Sequence, residues 1–202
     1  MISAHYARLL HRELSIRGHD EAALFQGSKL DAEALWQLTK LDLEDFLKLL
    51  ANAQEMLGEI SLGTVIVSRN GLATLGMMGV AMMSAPTLGA GLQAMSSYST
   101  LEAEYLHFEL LAGRSVTRLT LETDRDLGAS LIIHAETVFA LLQDYLTDLV
   151  GSTEGTIHFK VAHPRLTREA SIGTQLKGKL SFDSRFTGME FPTAWLNTRS
   201  PF

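Results

Sequence analysis

The chain has no cysteine among its 202 residues. That excludes disulfides, thiolate metal sites and a cysteine nucleophile, and it fits a reducing compartment. Basic residues are also short, 17 against 23 acidic ones, for a formal net charge of −6. Binding nucleic acid takes clustered lysine and arginine to neutralise phosphates, and no such cluster occurs. The G-x-S-x-G elbow and the H-E-x-x-H helix motif are both missing, so the common hydrolase signatures are absent. The opening stretch MISAHYARLLHREL carries a charge every few residues and is no secretory signal.

What stands out is an uncharged run from Asn70 to Leu101, centred on GMMGVAMMSAPTLGAGLQAMSSY at residues 76–98. By length alone it could cross a bilayer. Its glycines, Pro86 and the serine-rich end interrupt it too often, so a soluble, cytoplasmic protein with no membrane partner is expected. Within the run, GAGLQA (89–94) fits the loose dinucleotide pattern G-x-G-x-x-A. That pattern needs a strand-to-helix turn, whereas Ser84 and Pro86 here are expected to open a helix with the glycines inside it. No cofactor is expected. Met77, Met78, Met82, Met83 and Met95 could ligate copper(I) as thioethers. Without a supporting thiolate, they read better as filling for irregular apolar space, including the wall of an adaptable ligand pocket. His158 and His163 are offset by five residues, which sends them to opposite faces of a strand. His107 and His134 lie on other elements, so no metal site is expected.

Periodicity places the elements. Leu9, Leu10, Leu14 and Ile16 predict a helix near residues 3–17, ended by Gly18. Asp31 and Asp42 cap two more; the second carries Phe46, Leu50, Ala53 and Leu57 on one face. TVIVS (64–68) reads as a short strand, and Leu72 to Met83 as a buried helix or helix pair. In the helix after Pro86, Leu88, Leu92, Met95 and Ser99 share a face. The period then drops to two. Leu106, Phe108 and Leu110 alternate with Tyr105, His107 and Glu109, and after a turn at Gly113 the segment SVTRLTLE alternates again, predicting a hairpin. Residues 128–150 form the longest helix, amphipathic and acidic on its outer side. TIHFKV, then Leu180 with Phe182, and Met189 with Phe191 predict further strands. The expected fold class is α+β in a single domain over 1–202, helical over 1–101 and with sheet and helices over 102–202. One long amphipathic helix lies between strands of an antiparallel sheet.

Two stretches carry a family resemblance. Gly76, Gly79, Ser84, Thr87, Leu88, Leu92 and Tyr98 match, in register, a signature of the N-terminal effector-sensing domains, often labelled arabinose-binding type, of AraC/XylS-family bacterial transcriptional regulators. Gly91 departs, since alanine is usual there. Near the C-terminus, LSFDSRFTGMEFPTAWLNTRSP resembles the family's closing segment, with Phe182, Phe191, Leu196 and Pro201 in place. His163 and Pro164 fall where such a pair precedes a short helix.

The resemblance implies a regulatory domain that senses an effector or dimerises. It would control DNA binding by a C-terminal helix-turn-helix domain that lies outside this chain. It also implies a small organic effector, a homodimer, and DNA contact only through the other domain. Neither an enzyme nor a catalytic residue is expected. The alternatives are a dimerisation module without a small ligand, or a small enzyme. The candidate ligand-binding residues are Met78, Met82 and Met95 as apolar walls, with Tyr105, His107 and Arg118 as polar groups. Arg118 favours a carboxylate-bearing effector, because guanidinium pairs bidentately with carboxylate. Whether those side chains share a face depends on the hairpin register. The Leu131–Leu149 helix either packs on the sheet alone or also supplies a two-fold contact.

Overall fold

The computed structural model describes residues 1–163 and 176–201. Its N-terminal part is helical: α1 (Ala4–Ile16), α2 (Glu21–Phe25), α3 (Ala32–Gln37), α4 (Leu43–Leu57), α5 (Leu62–Asn70), α6 (Gly76–Met83) and α7 (Leu88–Glu102). Two short strands, β1 (Ile2–Ser3) and β2 (Lys40–Leu41), pair beside α1. The second part holds β3 (Leu106–Ala112), β4 (Val116–Thr123), the long helix α8 (Ser130–Val150), β5 (His158–Lys160), β6 (Lys179–Ser181) and β7 (Gly188–Pro192). The fold is α+β. The sheet order is β3-β4-β7-β5-β6, antiparallel except at the β5–β6 edge, where pairing is parallel. That edge departs from the all-antiparallel sheet expected. The short helix expected after His163 lies outside the described residues.

Two apolar cores form. The first gathers Leu10, Leu35, Leu49 and Leu62 with Ile66 and Ile133, and belongs to the N-terminal helices. The second gathers Met82, Leu88, Leu92, Met95, Phe139, Phe159 and Phe191 between α6, α7, α8 and the sheet. Helix α8 contributes to both, which explains why so much of it is buried. Among its outer positions only Asp144 and Asp148 are both exposed and charged. Like charges meeting across a two-fold axis repel, so this acidic strip is a poor surface for self-pairing.

Two local expectations change. TVIVS is not a strand but the middle of α5. Ser61 caps that helix by accepting from Thr64 N–H, and α5 packs on α8 so closely that a side chain at Gly63 would strike Thr137. Tertiary packing outweighs the β-preference of Val and Ile here. Helix α7 begins after Pro86 rather than at Ser84. Thr87 is extended and its hydroxyl accepts from Ala90 N–H at 3.2 Å. Ser84 instead finishes α6, donating its hydroxyl to Val80 O at 2.9 Å.

The start of α7 is also clasped by the C-terminal segment. Leu88 N–H donates to Thr198 O at 2.9 Å, and Ser200 N–H to Pro86 O at 3.0 Å. The two stretches that carry the family pattern are therefore joined in space. Gly76 has φ +56°, which turns the chain from a 3₁₀ turn (71–75) into α6. The Glu102 carboxylate then accepts from Met77 N–H at 3.1 Å, tying the start of α6 to the end of α7.

Gly91 has a different reason to be glycine. The Tyr145 hydroxyl crosses from α8 to donate to Met82 O at 3.1 Å, and a Cβ at Gly91 would overlap that hydroxyl. Intrinsic helix propensity favours alanine by about 1 kcal/mol, but overpacking costs about 1–3 kcal/mol. Gly91→Ala is therefore expected to destabilise. Tyr145→Phe alone should cost about 1 kcal/mol for the lost hydrogen bond. The double variant should lose less than the two single losses added together. Denaturant midpoints check this, and strictly additive losses would show that the two positions do not share the space.

Candidate functional site

A cavity of about 70 Å³ lies at the seam between the two cores. Its walls come from nearly every helix that meets there. Ile2 and Tyr6 enter from the N-terminus, Phe46 and Leu50 from α4, and Ile66 from α5. Thr74, Leu75 and Met78 come from the 3₁₀ turn and the start of α6, and Ser99 from α7. Tyr105, Leu106 and Phe108 close it from the chain entering β3, and Ile133, His134, Thr137 and Val138 from α8. The two cores, which share α8, meet imperfectly, and the gap is what remains where neither set of side chains reaches.

Hydrogen bonding fixes part of the wall. His134 Nδ1 lies 2.7 Å from Ser130 O, which can only accept, so this nitrogen carries the proton. His134 Nε2 then accepts from the Tyr105 hydroxyl at 2.9 Å. Burial pushes the His134 pKa down, against the smaller opposing effect of the Ser130 carbonyl, so the imidazole is held neutral. Burial pushes the Tyr105 phenol up, and burial followed by the nearby Glu102 charge does the same for Tyr6. The rings of Tyr105 and Phe46 each meet His134 edge-on, at centroid distances of 5.8 and 6.2 Å. Thr137 spends its hydroxyl on Ile133 O at 2.7 Å.

Two hydroxyls on the lining are left over. Thr74 Oγ1 and Ser99 Oγ are buried and have no hydrogen-bond partner among the described residues. Thr74 is fully buried and Ser99 is 2% exposed. An unmet buried hydroxyl costs about 1–3 kcal/mol, so both are ready acceptors or donors for something that enters.

The structure separates the six candidate residues into three groups. Met78 and Tyr105 line the cavity. Met82 and Met95 are fully buried in the second core, on the sheet side, and do not reach it. His107 and Arg118 lie on the outer face of the sheet, opposite Glu122 and Leu111 respectively. There Arg118 Nη2 donates to Glu190 Oε1 at 3.0 Å, and Lys160 Nζ lies 2.7 Å from Glu190 Oε2. Burial alone would raise the Glu190 carboxyl, but the bonds from Lys160 and Arg118 outweigh it and hold it low. Arg118 also stacks over Phe186 at 4.3 Å. Its guanidinium is thus engaged on the surface, away from the cavity. The alternation that pairs Tyr105 with His107 breaks because Tyr105 precedes β3 and turns inward toward α8.

Sequence reading missed Thr74, Tyr6, Phe46 and His134 as lining residues. Ser99 left a trace, a polar side chain on an otherwise apolar helix face. Among the described residues no group of three or more metal-ligating side chains converges. A broad cleft of about 680 Å³ lies outside the cavity, with Asp42, Asp45, Glu104, Asp124 and Asp126 on its walls. Tyr105 borders both spaces.

The chain is thus an α+β domain with a mostly apolar cavity walled by helices on several sides. Residues 18–200 match the arabinose-binding domain of AraC transcription regulators, N-terminal. The chain belongs to that family. The ornithine utilization regulator of Pseudomonas aeruginosa is 28% identical over 166 residues, covering 81% of this chain and 49% of that protein. The crystal structure of the transcriptional regulator CdpR from Pseudomonas aeruginosa shares the fold at a TM-score of 0.63 and 16% identity. The match covers 98% of this chain and 57% of that one. The chain thus spans about half the length of these relatives, which are regulators rather than enzymes.

The neutral His134 predicts a pH effect. In the unfolded chain it takes up a proton near its ordinary value of 6.5, whereas in the fold it resists protonation. Stability should be full above pH 7 and fall as pH drops through 6.5, because the unfolded state binds more protons. His134→Gln should flatten that decline between pH 7 and 5.5. Urea midpoints across that range test it; an equal slope in both proteins would mean that His134 does not carry the effect.

Proposed function

We propose that this domain senses a small molecule in the seam cavity and passes its occupancy on, through self-association, to DNA binding by another part of the full-length regulator. The cavity with its two unpartnered hydroxyls is the observation that carries this reading. We read the domain as non-enzymatic and cytoplasmic, with DNA contact left to residues outside this chain. Its acidic charge of −6 supports that division.

The same helices that wall the cavity offer a surface for a second copy. On their outer side Met77, Val80, Tyr98 and Leu101 are 74, 47, 47 and 67% exposed. The run from Asn70 to Leu101 has no charge. An isologous contact places each surface against itself, so a net-negative protein self-pairs best through a neutral, apolar face. Met78 faces the cavity and Met77 the outer side, one residue apart. An effector that displaces Met78 would therefore shift α6 where the second copy sits. Such an effector changes the equilibrium only to the extent that it prefers one of the two arrangements.

The family's name mentions arabinose and one relative's name ornithine, so sugars and amines are the first alternatives for the effector. A carboxylate-bearing effector held by Arg118 is supported less, given the Glu190 pairing.

Sedimentation equilibrium tests the coupling. The domain should be dimeric at high micromolar concentration. Met77→Glu combined with Leu101→Glu should make it monomeric, with little change in melting because both sites are exposed. Ser99→Leu, which fills the cavity, should change the dimer dissociation constant by about 5-fold or more, the low end of ordinary coupling. A monomeric wild type, or a dissociation constant indifferent to Ser99→Leu, would contradict the proposal.

A further inference from the structure

From the cavity's lining we infer that the effector is a small, uncharged, largely apolar molecule with one hydrogen-bonding end, such as a short alcohol or ketone, rather than a sugar, an amino acid or a carboxylate. This rests on the sensing reading above and specifies its chemistry.

Every polar group that the effector buries needs a partner in the wall. A buried charge needs a partner of opposite sign, and among the described residues no Asp, Glu, Lys or Arg side chain lines the cavity. Its single titratable imidazole, His134, already uses both nitrogens, one on Ser130 O and one on the Tyr105 hydroxyl. An ammonium or carboxylate inside would therefore lose its hydration and gain no counter-charge. A sugar would bury several hydroxyls, each needing a partner. The hydroxyls known to be unspent are those of Thr74 and Ser99. They can serve one polar end, and most of the remaining surface is aliphatic or aromatic, with the hydroxyls of Tyr105 and Thr137 already bonded within the wall. The neighbouring cleft, rich in aspartate and glutamate, also opposes the approach of anions.

Size limits the effector as well. The resting volume of about 70 Å³ is less than half of the roughly 150 Å³ that admits benzene in an engineered apolar cavity. A molecule longer than a few non-hydrogen atoms must displace part of the wall. Met78 is the most adaptable part, being unbranched and flexible.

A thermal-shift and calorimetry panel on the domain tests this. The probes are 1-butanol, 1-hexanol and 2-heptanone, set against L-arabinose, L-ornithine and hexanoate. At about 100 times its dissociation constant, at least one neutral probe should raise the melting temperature by roughly 5–10 °C. Ser99→Leu should abolish the shift. Thr74→Val with Ser99→Ala should keep the fold and weaken 1-hexanol about tenfold. If arabinose, ornithine or hexanoate stabilises instead, and Ser99→Leu removes that effect, the sensing reading stands and the neutral class is overturned. If no probe stabilises and Ser99→Leu leaves dimerisation unchanged, the class and the sensing reading both fall.

Discussion

Helix α8 is the element on which both cores depend. Its N-terminal half gives Ile133 to the helical core, and its remaining turns give Phe139, Leu142, Tyr145 and Leu146 to the core under the sheet. Neither core can close without it, and it cannot fit both without compromise. The gap at the seam follows from that double duty. The Tyr105–His134 bond marks the join, because it links the chain entering β3 to α8 at the cavity wall. A polar bond at such a place is worth having only if dry, and burial keeps its imidazole neutral.

The uncharged glycine-methionine run acquires a physical meaning in this frame. Its inner face divides between the two jobs of packing and lining: Met82, Leu88, Leu92 and Met95 fill the second core, while Thr74, Met78 and Ser99 reach the cavity. Its outer face is left apolar and exposed. Charge on its inner face would be buried in the core or in the cavity wall. The C-terminal strand and turn then latch onto the start of α7 through Pro86, Leu88, Thr198 and Ser200.

Much of the fold was legible because it is written in periodicity. The hairpin, α8 and the shared face of Leu88, Leu92, Met95 and Ser99 all repeat at their own spacing, and burial follows that spacing. The errors fall where tertiary contact decides. Residues 64–68 read as strand from their β-branched side chains, yet a close approach to α8 at Gly63 holds them helical. Gly91 read only as a departure from the family pattern, yet it makes room for a hydroxyl sent across from α8. The cavity was hardest, since its walls come from residues as distant as Tyr6 and Val138 and no motif links them. Arg118 and His107 share the hairpin with cavity residues, but the pleat sends them to the other side. Met78 and Tyr105 could be nominated from the sequence, whereas the unmet hydroxyls of Thr74 and Ser99 needed coordinates.

We propose that the seam between the cores admits a ligand beside Met78 and excludes it from the methionines of the second core. Methyl NMR on protein carrying ¹³C at its methionine methyls tests this directly, with 2-heptanone as the titrant. A saturable shift and ligand contacts are expected at the Met78 methyl, with little change at Met82 and Met95. A saturable response centred on Met82 or Met95, or changes confined to exposed methyls such as those of Met1 and Met77, would contradict it.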